Sequence, residues 1–123
     1  MEFTGLDVLF LEVNKLEESL RFYAEELGFT IESHNAESEP PVATLRAGSL
    51  KLSLAEQPET MLRRGRGVHF FIGVRDVDAF YERLKGRDIK ISPPVDEGWG
   101  ASFVTIEDPD KYRLFFVTWG AEE

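Results

Sequence analysis

Hydrophobic and polar positions follow the same order in two successive stretches of the chain. In the first, residues 8–13 alternate with a period of two, which predicts a strand with one inward apolar set: Leu9, Leu11 and Val13. The next apolar residues recur at helical spacing and form one stripe: Leu16, Leu20, Tyr23 and Leu27. Asn14, with Glu17 three residues later, predicts a capping box at the helix start, and Gly28 suits its left-handed end. Strands predicted over residues 29–33, 42–47 and 50–55 complete a β-α-β-β-β order.

The second stretch predicts the same elements again. A strand over residues 68–74 leads to a helix that begins near Asp76 and ends at Gly86, and strands over 89–91, 101–106 and 112–118 follow. Such self-similarity indicates a duplicated structural unit. One helix followed by three strands is not the alternation that builds a parallel sheet. We therefore predict an α+β fold in a single domain over residues 1–123. Its two βαβββ modules (1–60 and 67–120) would form a cupped mixed sheet around a cavity.

Composition narrows the class of protein. The 123 residues include no cysteine, which excludes a disulfide framework and a thiolate ligand or nucleophile. Hydrophobic residues make up 42%, as in a globular protein. Neither a signal segment nor an apolar run of membrane-spanning length is recognisable, so we predict a cytoplasmic protein without a membrane partner.

The net charge of −9 argues against nucleic acid as a partner, because a nucleic-acid binder normally carries a basic surface. An acidic surface attracts cations instead, so the charge is compatible with a cationic ligand. The dense basic run, Arg63, Arg64 and Arg66, stands between glycines and is interpreted as the linker between the modules.

Three segments carry a resemblance to a known family: VNKLEESLRFYAEELGF, VRDVDAFYERL and WGASFVTIEDPDKYRLFFV. With them, the chain resembles the glyoxalase/bleomycin-resistance/dioxygenase superfamily, also called vicinal oxygen chelate, over nearly its whole length. The resemblance implies paired βαβββ units around the site, and half-barrels of this kind commonly pair, so we expect a homodimer. The family includes isomerases, lyases, dioxygenases and drug-binding proteins, so it leaves the activity open.

Enzymes of that family mostly bind a divalent metal through His, Glu or Gln on the first and last strand of each unit. Matching the motifs places those positions at Val8, Ser53, His69 and Phe115. Valine and phenylalanine have no donor atom, and a serine hydroxyl is a poor ligand. The sequence therefore predicts no bound metal and no other cofactor. His69 alone remains as a metal ligand, a general base or a hydrogen-bonding group.

Strand alternation directs several aromatic side chains towards the predicted cavity. They are Phe10, His69, Phe71, Phe103 and Phe115. Ser53 lies on the same face, and Glu12 is a candidate for the cavity rim. A cavity with aromatic walls and few polar groups suits a flat organic ligand, although the same rings could simply fill it.

Trp99 is a further candidate ligand contact, because the glycines on both sides leave its ring approachable. In the bleomycin-resistance branch of the family, the tryptophan of a matching Trp-Gly pair stacks on the drug. This chain departs from the family after Asp108-Pro109-Asp110, where Lys111-Tyr112 replaces glycine-asparagine. A positive φ is more costly without glycine, so we predict a reshaped hairpin at this point.

The sequence thus favours a metal-independent binding protein that sequesters a small aromatic compound in the manner of bleomycin resistance, and the acidic net charge is compatible with a cationic one. It predicts no catalytic residue for this function. The alternative is a metal-dependent lyase, isomerase or dioxygenase that uses His69. The predicted ligand contacts are these: Trp99, His69, Phe10, Phe71, Phe103, Phe115, Glu12 and Ser53.

Overall fold

A computed structural model of the chain describes residues 2–58, 64–96 and 101–120. Its contacts divide the chain into two compact units, residues 1–62 and 63–123, each with its own four-stranded sheet and its own helix. The fold is therefore α+β, as predicted from the duplicated pattern. No helix in the described ranges is both long enough and apolar enough to cross a membrane.

The first unit contains four strands and one helix. They are β1 (Leu9–Val13), α1 (Leu16–Leu20), β2 (Thr30–Asn35), β3 (Val42–Ala47) and β4 (Leu50–Glu56). The sheet order is β1-β4-β3-β2, with β1 parallel to β4 and the other pairs antiparallel. The helical stripe and the inward residues Leu11 and Val13 are all buried, as the periodicity predicted, whereas Leu9, also predicted to point inward, is only partly buried.

The start of α1 differs from the prediction. The N-cap is Lys15, not Asn14, and its side chain makes no capping bond. Instead, the backbone N–H of Leu16 donates to Oε1 of Glu56, at the end of β4, over 2.8 Å. A carboxylate there satisfies one orphan donor and complements the positive end of the helix.

The end of α1 widens into a π-helix over Arg21–Glu26. The N–H of Leu27 donates to the carbonyl of Phe22, five residues earlier, over 3.0 Å. Gly28 then adopts a φ of 94°, and the N–H of Phe29 donates back to the carbonyl of Tyr23 over 2.9 Å. The glycine thus ends the helix as predicted, since a left-handed residue closes it at low cost.

The second unit repeats this order. It contains β5 (His69–Gly73), α2 (Val77–Leu84), β6 (Val95–Asp96), β7 (Ala101–Glu107) and β8 (Arg113–Trp119), with sheet order β5-β8-β7-β6. The strand predicted over residues 89–91 was wrong, because this segment is irregular and the short edge strand lies at Val95–Asp96. Proline at 93 and 94 cannot donate to a ladder, which explains a short, late edge strand.

Helix α2 begins with two capping interactions. Asp76 is its N-cap and accepts from the N–H of Ala79 over 3.1 Å. The hydroxyl of Thr118, on β8, accepts from the N–H of Val77 over 2.8 Å and donates to the carbonyl of Val74 over 2.9 Å. Since Val77 corresponds to Leu16 in the repeat, the last strand of each unit supplies the side chain that caps its helix.

Candidate functional site

The second sheet exposes an aromatic surface on the face opposite its helix. Phe116 points to the helix side, where its ring lies 4.7 Å from that of Phe80. Phe115, its neighbour along β8, therefore points the other way. The register pairs Phe115 with Phe71 on β5 and with Thr105 on β7.

Four rings meet on this face around Phe115, and they are called the aromatic face below: His69, Phe71, Phe103 and Phe115. Phe71 stacks on Phe115 with ring centroids 4.6 Å apart and planes 14° apart. The rings of His69 and Phe103 lie 5.3 Å and 5.5 Å from Phe115 and are tilted against it. The structure thus brings together four of the predicted contact residues.

Phe71 remains 54% exposed although its ring is stacked. A large apolar side chain in that state offers one aromatic surface to a partner. His69 is exposed as well, at the first position of β5. Within the second unit, the rings therefore form a surface and do not bury one another completely.

Three predicted contact residues lie on the corresponding face of the first sheet. Phe10 is 59% exposed and pairs in register with Ser53. The hydroxyl of Ser53 lies 3.4 Å from that of Thr44 on β3. Glu12, two residues beyond Phe10, is exposed on the same face. Trp99, the remaining predicted contact, lies outside the described residues, so its role stays a prediction.

The family's metal-ligand positions do not offer a ligand set here. Val8 has no donor atom and lies just before β1, and Phe115 presents a ring that stacks on Phe71. Ser53 and His69 remain, which falls short of the three or more protein ligands that a bound divalent metal normally has. In residues 2–58, 64–96 and 101–120, no three His, Cys, Asp or Glu side chains converge as a metal site would require. The carboxylate of Glu56, at the end of β4, accepts a hydrogen bond from the start of α1.

The turn from Asp108 to Lys111, called the Asp108 turn below, was predicted to be reshaped, and this prediction was wrong. Lys111 adopts the left-handed conformation itself, with a φ of 73°. The Asp108 carboxylate accepts from the N–H groups of Asp110 and Tyr112 over 2.8 and 2.9 Å. The N–H of Lys111 donates to the carbonyl of Asp108 over 3.0 Å. These bonds hold the turn in the form that glycine would adopt at lower cost.

Part of the predicted linker, at Arg64, packs against this turn. Nε of Arg64 lies 3.8 Å from Oδ1 of Asp110, and the two side chains are only 6% and 2% exposed. Burial raises the pKa of Tyr112, while a hydrogen bond with Arg64 opposes the shift. A Cβ added to Gly65 would lie 2.7 Å from Cδ1 of Tyr112, so only glycine fits there. Arg64 is therefore part of the fold of the second unit and not of a free linker.

Sequence comparison identifies the family to which these units belong. The model of the Glyoxalase/Bleomycin resistance protein/Dioxygenase superfamily matches residues 5–116. The chain is a member of this superfamily. Among curated proteins, none matches the chain.

Several solved structures share the fold of this chain. A glyoxalase/bleomycin resistance protein/dioxygenase from Nocardioides matches with a TM-score of 0.78 and 24% identity, over 100% of this chain and 88% of that one. TnmS3, an antibiotic binding protein from a Streptomyces species, matches with a TM-score of 0.80 and 21% identity, over 98% and 99%. The fosfomycin resistance protein FosX from Listeria monocytogenes matches with a TM-score of 0.77 and 16% identity, over 98% and 97%. At these identities the similarity establishes the fold and leaves the ligand open.

Proposed function

We propose that this superfamily member binds a planar aromatic small molecule without a metal ion and sequesters it. The observation that carries the proposal is the exposed Phe71 ring, stacked on Phe115 in the aromatic face. An offset-stacked aromatic pair contributes about 0.5–1.5 kcal/mol beyond the burial of its area. Sequestration needs affinity and no chemical step, which fits a face built of rings.

Two solved structures of the same fold are consistent with a role in antibiotic binding or resistance. TnmS3 is an antibiotic binding protein by its title, and FosX is a fosfomycin resistance protein. The bleomycin-like ligand remains part of the proposal, as do the contacts of Trp99, Phe10, Glu12 and Ser53 and the cytoplasmic location.

Isothermal titration calorimetry with bleomycin and other planar aromatic antibiotics tests this function. Each titration is carried out in a strong chelator and again with added Zn²⁺, Fe²⁺ or Mn²⁺. We expect at least one compound to bind equally well in both conditions. Phe71→Ala should weaken that binding about tenfold, the size expected for a lost stacking contact.

The matched control for this experiment is Phe3→Ala, which removes a ring that is 75% exposed outside either sheet and should leave the affinity unchanged. Absence of heat across the whole panel would defeat the proposal. Binding that requires one divalent ion per chain and disappears in His69→Ala would establish the metal-dependent alternative.

A further inference from the structure

A basic cavity adjoins the aromatic face in the second unit. It has a volume of about 380 Å³. Its charged or titratable lining residues are Arg64, Arg66, His69, Glu107, Lys111 and Arg113. His69 lines this cavity and also contacts Phe115 in the aromatic face, so the two surfaces are continuous.

The charges of this cavity are not balanced by its own carboxylates. Arg64 is committed to Asp110 and is nearly buried. Nε of Arg113 lies 3.7 Å from Oε2 of Glu107, but both side chains are about half exposed, and such pairs are weak. Arg66 and Lys111 are exposed, and within the described ranges neither forms an ion pair. Three exposed cations therefore face a single carboxylate.

The backbone at Lys111 gives a reason to regard its charge as functional. The turn is held by the Asp108 carboxylate and by backbone bonds, none of which uses the Lys111 amine. Its φ of 73° favours glycine, so the lysine side chain makes the turn less stable than glycine would. A strained lysine that contributes a charge to a cavity points to a role in binding.

We propose that this basic cavity binds an oxyanion group, a carboxylate, phosphonate or sulfonate, of the same ligand whose ring lies on the aromatic face. The inference rests on the proposed function and adds the charge of the ligand to it. The net charge of −9 has little effect inside the cavity, because salt screens exposed charges that lie beyond about 8 Å. Inside the cavity, Arg66, Lys111 and Arg113 decide the local preference.

Two fluorescent probes that share one ring system test this inference. 1-Anilinonaphthalene-8-sulfonate carries an oxyanion, and N-phenyl-1-naphthylamine is the same aromatic frame without it. We expect the sulfonate to bind the wild-type chain about tenfold more tightly than the neutral probe, the size of one charge-assisted hydrogen bond. Its affinity should fall with added NaCl, whereas that of the neutral probe should not.

Variants at Lys111 separate charge from folding. Lys111→Gly and Lys111→Ala should both reduce the affinity for the sulfonate about tenfold and change that for the neutral probe less than about twofold. Lys111→Gly also removes the cost of a positive φ at this position, so the variant should fold at least as stably as the wild type. A loss of binding in Lys111→Gly would therefore not be caused by a loss of fold. The charge-matched control is Lys85→Ala, which removes an exposed lysine from the end of α2.

The outcomes distinguish the two proposals. Equal affinities for the two probes, or a sulfonate preference that survives Lys111→Gly, would overturn the oxyanion site and leave the aromatic site standing. Absence of binding by both probes would overturn both. Competition by inorganic phosphate but not acetate would assign the site to phosphonates, and the reverse would assign it to carboxylates.

Discussion

At the scale of single residues, the buried phenol of Tyr112 makes the stability of the second unit depend on pH. Burial raises its pKa above the usual value of 10.0, more than the hydrogen bond with Arg64 lowers it. The folded chain therefore holds the phenolic proton more tightly than the unfolded chain. The resulting stabilisation is complete below about pH 10 and is lost as the pH rises through the folded pKa.

Tyr112→Phe should reduce the decrease in the free energy of unfolding at alkaline pH. Urea unfolding of the wild type should give a free energy that decreases above about pH 10, and the variant should decrease less steeply. Between pH 7 and 9 the two curves should run parallel, offset by the lost hydrogen bond with Arg64. Parallel curves above pH 10 as well would mean that the phenol does not contribute.

The residues of the aromatic face could be predicted from the sequence, because strand alternation alone decides which side of a sheet Phe71 and Phe115 occupy. The basic cavity could not be predicted from the sequence. Arg64 stands among other arginines and glycines, and its burial against Asp110 depends on a contact 46 residues away along the chain. Lys111 was misjudged for a different reason: propensity disfavours lysine at a positive φ, but the bonds to Asp108 enforce it.

At the scale of elements, both helices begin on a side chain from the last strand of their own unit. Glu56 caps α1 and Thr118 caps α2, with sequence separations of 40 and 41 residues. Local patterns detect Asp76, which lies next to its helix, and miss both long-range caps. The same limit explains why the N-cap was wrongly assigned to Asn14, because the helix begins at Leu16 with Lys15 as its N-cap.

Removal of the Glu56 carboxylate should destabilise the first unit. We expect Glu56→Ala to lower the free energy of unfolding by about 1–2 kcal/mol, as measured for other helix caps. Glu107→Ala is the control, because it removes an exposed carboxylate from the last position of another strand, and it should change stability by less than about 0.5 kcal/mol. Equal effects in urea unfolding would show that the bond to Leu16 is not stabilising.

At the scale of the whole molecule, duplication makes the fold predictable while leaving the ligand undetermined. Each unit buries one face of its sheet under its helix, a pattern that the apolar periodicity encodes twice. The opposite faces carry exposed rings such as Phe10 and Phe71. A contiguous patch of exposed apolar side chains on a folded chain marks a surface for a ligand or for another protein.

The last prediction is that the chain forms a homodimer, since the exposed apolar residues include several in the first unit: Phe3, Leu6, Val8 and Phe10. Sedimentation velocity at micromolar concentration should give a particle of twice the 14.0 kDa chain mass. Phe10→Glu should shift it towards monomer, because a carboxylate is costly to bury in an apolar contact. Lys15→Ala, an exposed change in the same unit, should not. If the chain sedimented as a monomer at all concentrations, the homodimer prediction would be wrong, and these apolar residues would not form a dimer interface.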